Sequence, residues 1–194
     1  MALSADPAAR RYTYADLANF PDDHLRREII DGDLIVTPSP VIRHQMASAN
    51  LHLRLATYAR QAGGLALAAP MDVFLSPDNV VEPDLLFIRP DRLDRLGEKY
   101  VQVVPDLVVE ISSPSTRRLE LVRKRELYER FQVPEYWYID LDAERVEIYV
   151  LAEGFYAPPT LKYPGEELTS AHLPGLAMPV DEALGLAEEP PAEG

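Results

Sequence analysis

The run Asp106-Leu-Val-Val-Glu-Ile-Ser112 constrains the fold of this 194-residue chain more than any other segment. It is rich in β-branched residues and shows no polar alternation apart from Glu110. It therefore reads as a central strand buried on both faces. Ser113-Pro-Ser-Thr116 supplies an N-cap, and a helix runs from there to about Gln132. A further strand is expected at Tyr136–Asp140.

The rest of the chain supplies the partners of that strand. Thr13-Tyr-Ala-Asp16 resembles a capping box and opens a short helix that ends near Pro21. Glu28-Ile-Ile-Asp-Gly-Asp-Leu-Ile-Val36 reads as a β-hairpin with an Asp31-Gly32 turn, stopped by Pro38-Ser-Pro40. Residues from about Val41 to Ala62 lack Gly and Pro and form a long helix, closed by Gly63-Gly64. Strands are expected at Leu65–Ala69, Asp72–Leu75 and Asp84–Ile88, then at Arg145–Val150 and Phe155–Leu161. Arg89–Val101 reads as a loop with a helical turn. No internal repeat is visible. The fold class is α/β (α+β), with a mixed β-sheet flanked by two helices. Residues 1–11 form a loose arm and residues 188–194 a disordered acidic tail.

Several function classes are excluded at this stage. No stretch approaches the ~20 apolar residues that span a bilayer, and the first residues lack the apolar core of a signal peptide. The chain has no cysteine, which removes disulfides, thiolate metal sites and cysteine nucleophiles. A cytoplasmic location, without a membrane partner, is expected. No Gly-rich phosphate loop, HExxH motif or zinc spacing is present. The Tyr136-Trp-Tyr138 run reads as core packing rather than a base-stacking surface.

Polar residues in apolar places mark the candidate site. With Leu121 at zero and ~100° per residue, Leu127, Phe131 and Tyr128 fall at about 240°, 280° and 340°, so the apolar face runs from roughly 240° to 0°. Lys124 and Glu120 fall inside that stripe, four residues apart. They either pair as an exposed i,i+4 bridge with a snorkelling lysine, or look into a polar site at the sheet. Glu110 interrupts the central strand, and Asp84 opens the strand after Glu82-Pro83. An isolated Asp84 would read as a strand-entry aspartate. Two acids at the ends of neighbouring strands, with an inward lysine on the next helix, form a more specific set. Their oxygens are hard ligands suited to Mg²⁺ or Mn²⁺, and a nearby lysine can orient water or stabilise phosphate charge.

Val81-Glu82-Pro83-Asp84, the run from Asp106 to Thr116, Lys124, Tyr128 and Val133-Pro-Glu-Tyr-Trp-Tyr-Ile-Asp140 together resemble the Uma-type putative restriction endonuclease family of the PD-(D/E)xK nuclease superfamily. The segments Glu28–Leu34 and Pro38–His44 resemble it too, so the likeness spans roughly residues 12 to 185. It implies one endonuclease-like domain over 12–187, a restriction-endonuclease-like core and metal-dependent cleavage of phosphodiester bonds in DNA. Asp84 and Glu110 would be the metal carboxylates, the backbone carbonyl of Ile111 a further ligand, and Lys124 the catalytic lysine. The superfamily motif puts lysine two residues after the acid, where this chain has Ser112. The lysine has moved to the following helix, as the helical wheel independently indicates. Glu120 stands where an aspartate is expected. Glu28 and His44 match recurrent family positions and would line the site. Their alternative readings are a solvent-facing hairpin residue and a helix N-terminal residue. Ser112, Ser113 and Ser115 read as helix caps.

Arg117, Arg118, Arg123 and Arg125 are candidate phosphate contacts. The formal net charge of −13 opposes a nucleic-acid substrate, but it is unevenly spread. Residues 140–194 carry 12 acids and 2 bases, net −10, whereas residues 1–139 carry 20 acids and 17 bases, net −3. Arg117–Arg130 holds 6 bases and 3 acids, net +3. Two other readings stand beside the nuclease: a non-catalytic binding or assembly module that keeps a nuclease fold, and a small-molecule phosphodiesterase. Edge strands in the C-terminal half could pair into a homodimer.

Overall fold

A computed structural model describes residues 11–21, 23, 25–37, 39–112 and 119–186, with the side chains of 119–121 excepted. The expected N-terminal arm up to residue 10, the acidic tail, Ser113, Ser115, Arg117, Arg118 and the Glu120 side chain lie outside the described residues.

The first strands form as their turn chemistry dictates. β1 (Arg26–Ile30) and β2 (Asp33–Thr37) pair antiparallel, with Ile30 opposite Asp33. The two loop residues, Asp31 at φ 52° and Gly32 at φ 76°, both have the positive φ of a type I′ turn. α1 (Tyr14–Leu17) precedes them, and its N-cap residue Thr13 donates its backbone N–H to the Asp16 carboxylate at 2.9 Å. α2 (Ile42–Ala62) ends on Gly63, whose φ of 80° makes the left-handed cap. Its buried stripe, His44, Ala47, Leu51, Leu55 and Ala59, repeats at helical spacing.

Among the described residues, the main sheet has seven strands. β3 (Leu65–Ala68), β6 (Leu85–Ile88), β7 (Leu107–Ile111), β8 (Glu135–Asp140) and β9 (Arg145–Ala152) lie side by side, and β10 (Phe155–Tyr156) and β11 (Thr160–Lys162) both pair with β9. Among the described strands of this sheet, only β7 and β8 run parallel, in the register Glu110 opposite Tyr138. A parallel pair needs a crossover, and the segment between the two strands, which contains the helix carrying Lys124, supplies it. The expected strand over Phe155–Leu161 is split into β10 and β11. Pro158 and Pro159 lie between them and cannot donate to a ladder.

One face of the main sheet packs on α2 and the C-terminal α4 (Val180–Ala183), through Leu51, Leu55, Val109, Trp137 and Val180. A large-to-small change at Leu51, fully buried, costs about 2–5 kcal/mol. The other face meets a second sheet, ordered β2-β1-β5-β4, built from the hairpin, β4 (Val73–Ser76) and β5 (Asn79–Val81). α3 (Arg125–Arg130) closes that side, with Leu127 and Tyr128 packed against Val108, Tyr136 and Tyr138. Tyr136, Trp137 and Tyr138 are core residues, as expected. The short β5, β12 (Glu167–Thr169) and β13 (Ala177–Pro179) carry too little periodicity to stand out in the sequence.

The crossover helix departs from its expected geometry. Leu119–Lys124 is π-helical and only Arg125–Arg130 is α-helical. The 100° wheel does not describe the π-helical turn. Lys124 nevertheless points inward and is 1% exposed. No helix among the described residues is long and apolar enough to cross a membrane.

Candidate active site

β1, α2, the crossover helix and the ends of β6 and β7 meet at one place. Leu85 pairs with Val109, so continuing the antiparallel register brings Asp84 opposite Glu110 on the face turned to the second sheet. The two acids are tied through the backbone: the Ile111 N–H donates to Asp84 Oδ2 at 2.7 Å. Asp84 is 3% exposed and Glu110 is fully buried.

Each carboxylate has its own set of partners. Glu110 Oε1 accepts from Lys124 Nζ at 2.9 Å and from the Tyr128 hydroxyl at 2.6 Å. Tyr128 lies one turn beyond Lys124, so both reach one oxygen. Lys124 Nζ is also 2.8 Å from Glu28 Oε1, which in turn accepts the Glu82 N–H at 2.8 Å. His44 Nε2, from the first turn of α2, is 3.3 Å from Asp84 Oδ2. The structure therefore gathers Asp84, Glu110, Lys124, Glu28 and His44 into one buried cluster, with the Ile111 backbone beside it. Glu28 is no solvent-facing hairpin residue, for it is 1% exposed.

Arg26, Glu82 and Tyr128 complete the cluster, and none stood out as a site residue in the sequence. Period-2 alternation puts Arg26 on the same face of β1 as Glu28. Its Nη1 is 2.8 Å from Asp84 Oδ1 and its Nη2 is 3.6 Å from Glu110 Oε2. Nη2 also donates to the Glu82 carbonyl, and Nε is 3.5 Å from Glu82 Oε1.

Of the candidate phosphate contacts, Arg123 Nη2 donates to the Ile30 carbonyl at 3.1 Å and pairs with Asp33 at 2.9 Å. Arg125 stacks over the Tyr149 ring. The contacts of both guanidinium groups lie with the hairpin and β9 rather than with the carboxylates.

The cluster drives its acids apart electrostatically. Burial works to raise the pKa of Asp84, but the His44 hydrogen bond and the charges of Arg26, His44 and Lys124 outweigh it and hold the group below the usual carboxylate range. Burial raises Glu110 above its ordinary value, and Lys124 and Arg26 only partly oppose that. Glu82 is pushed up to about 7 by burial, with the neighbouring Glu28 and Asp72 adding to the shift against Arg26. Burial and the charge of Glu110 push Tyr128 well upward, so its phenol stays a donor.

Whether this set suits a divalent ion depends on its free oxygens. Glu110 Oε2 is buried without a hydrogen-bond partner among the described residues. It lies on the same guanidinium as Asp84 Oδ1, so two hard oxygens converge on a place already holding positive charge. Among the described residues, no three His, Cys, Asp or Glu side chains converge as a ready-made cage. The set fits an ion held by two carboxylates and backbone or solvent oxygen, as is usual for Mg²⁺.

A family model named Uma2 and described as "Putative restriction endonuclease" matches residues 12–181. A crystal structure from Anabaena variabilis ATCC 29413, described as a putative nuclease belonging to DUF820, superposes with a TM-score of 0.74. It is 17% identical, and the match covers 89% of this chain and 97% of that one. Likeness at that identity establishes a shared fold. No curated protein matches the sequence.

Proposed function

The chain belongs to the Uma2 putative restriction endonuclease family, and on that premise we propose that it is a metal-dependent endonuclease acting on DNA. The observation that carries this reading is the Glu110 carboxylate. One oxygen is held by Lys124 and Tyr128, while the other, buried and without a hydrogen-bond partner, faces the same point as Asp84. A buried carboxylate oxygen left in that state is costly unless something else engages it.

Asp84, Glu110 and the Ile111 carbonyl would hold Mg²⁺ or Mn²⁺. A divalent ion there supplies Lewis-acid stabilisation of phosphate charge and a more acidic water. The chain's own residues do the rest. The Lys124 amine lies between Glu28 and Glu110, where it would orient the attacking water and stabilise charge developing on phosphate. Glu28 fixes the lysine from the far side, and Tyr128 fixes the carboxylate. His44 keeps Asp84 ionised. Arg123 and Arg125, on the basic segment after β7, would contact a phosphate backbone only by exchanging their present partners. These roles are positional and electrostatic, which suits phosphodiester hydrolysis.

Incubation of the purified protein with plasmid and single-stranded DNA, with Mg²⁺, Mn²⁺ or EDTA, tests the reading. Metal-dependent cleavage supports it. Cleavage of small phosphodiesters alone would favour the small-molecule reading, and divalent-ion binding without any cleavage would favour a binding module.

A further inference from the structure

We propose that Arg26 is an internal counter-ion occupying the cation's place between Asp84 and Glu110, and that a divalent ion binds by displacing it. This inference rests on the metal-dependent reading of the site.

Three observations point to Arg26 as the group that yields. First, its guanidinium spans the two carboxylates, with Nη1 at 2.8 Å from Asp84 Oδ1 and Nη2 at 3.6 Å from Glu110 Oε2. Its positive charge thus sits where the two oxygens converge. Second, the fit is incomplete on both sides. Arg26 Nε and Glu110 Oε2 are each buried without a hydrogen-bond partner among the described residues. An arginine built for this place as a permanent strut would use its rigid fork to satisfy such atoms. A small ion with flexible solvent ligands would satisfy Glu110 Oε2 without needing Nε. Third, only one of the two permanent cations has a way out. The Arg26 side chain is 18% exposed, whereas Lys124 is 1% exposed and held by Glu28 and Glu110. On the Arg26 side, Glu82 lines a cleft with Asp72, Phe20, Leu25 and Arg27. A released guanidinium would meet Glu82 and Asp72 there, since the cleft's other cation, Arg27, is already paired with Asp23.

The charge balance agrees. Four acids, Glu28, Glu82, Asp84 and Glu110, face the guanidinium of Arg26 and the ammonium of Lys124, with His44 beside Asp84 alone. Without metal, Arg26 keeps the carboxylates from facing one another uncompensated. With metal in place, its charge becomes repulsive at close range. Arg26 thereby sets an affinity threshold for the ion.

Mn²⁺ titration calorimetry on wild type, Arg26→Gln and Arg26→Lys tests this, with melting curves in EDTA and in excess Mn²⁺. Arg26→Gln is expected to bind Mn²⁺ about tenfold tighter or more, since removing one unit charge at this distance is a large electrostatic change. It is also expected to melt lower than wild type in EDTA and to gain more from Mn²⁺. Arg26→Lys, a single-point charge that cannot span both acids, should lie between, and carries the test if the glutamine variant does not fold. A purely structural arginine would give weaker binding on replacement. Affinity equal to or weaker than wild type in the variants therefore overturns the proposal while leaving the metal reading intact. Absence of Mn²⁺ binding in wild type and variants alike overturns the metal reading, and the role of Arg26 with it.

Discussion

Tyr128 donates its hydroxyl proton to Glu110 Oε1 at 2.6 Å, on the same oxygen that Lys124 holds. The helix after the central strand thus grips the strand's one acid with two side chains a turn apart. Tyr128→Phe removes a hydrogen bond to a buried charged group and should destabilise the protein by about 1–3 kcal/mol in urea unfolding. The aromatic packing on Tyr136 survives that change. A loss below a few tenths of a kcal/mol would mean that the phenol does not support Glu110.

Lys124→Met removes the ammonium that Glu28 and Glu110 share. Breaking a buried ion pair on one side costs about 3–5 kcal/mol, because the remaining charges are left uncompensated. Pairing it with Glu110→Gln in a double-mutant cycle should recover part of that loss, giving a coupling of about 1–3 kcal/mol. Strict additivity would contradict the direct contact. Where the protein still folds, Lys124→Met should cut nuclease activity by about a hundredfold or more.

The raised acids make the metal-free protein sensitive to alkali. Glu82 moves from 4.5 to about 7. Between these values the folded state binds more protons than the unfolded state, so stability falls as pH rises through that window. Glu110, raised by burial, acts in the same sense. Asp84 acts in the opposite sense: its stabilisation is present above its ordinary value and is lost as pH falls below it toward the depressed folded value. Melting in EDTA should therefore be highest on the mildly acidic side. Glu82 should contribute a loss on the order of 1–3 kcal/mol between pH 5 and pH 8. Glu82→Gln should flatten the slope, and an unchanged slope would contradict the burial argument.

Saturating Mn²⁺ should reverse part of that slope. Metal and protons compete for the same carboxylates, so the rise in melting temperature on adding Mn²⁺ should be larger at pH 8 than at pH 5. An equal rise at both values would place the bound ion away from Glu110 and Asp84.

Much of this was legible in the sequence, for identifiable reasons. The hairpin announced itself through Asp31-Gly32, α2 through its freedom from Gly and Pro up to Gly63, and β7 through an apolar run that only a doubly covered strand tolerates. Glu110 and Lys124 stood out because each is polar in an apolar place. Arg26 was silent because an arginine in a two-residue alternation looks solvent-facing. Only the second sheet, laid over the main one, decides that this face of β1 is buried. That sheet depends on the three-residue β5, which is too short to show a period. The π-helical turn was equally hidden, since nothing in Leu119–Lys124 separates it from an ordinary helix.

The most direct test of the central claim is cleavage of plasmid DNA by wild type and Glu110→Gln, each with Mg²⁺, Mn²⁺ or EDTA. Wild type should cleave with metal and not with EDTA, and Glu110→Gln should lose about a hundredfold or more of that activity. Cleavage of equal rate by the variant, or no metal-dependent cleavage by the wild type, would contradict that claim.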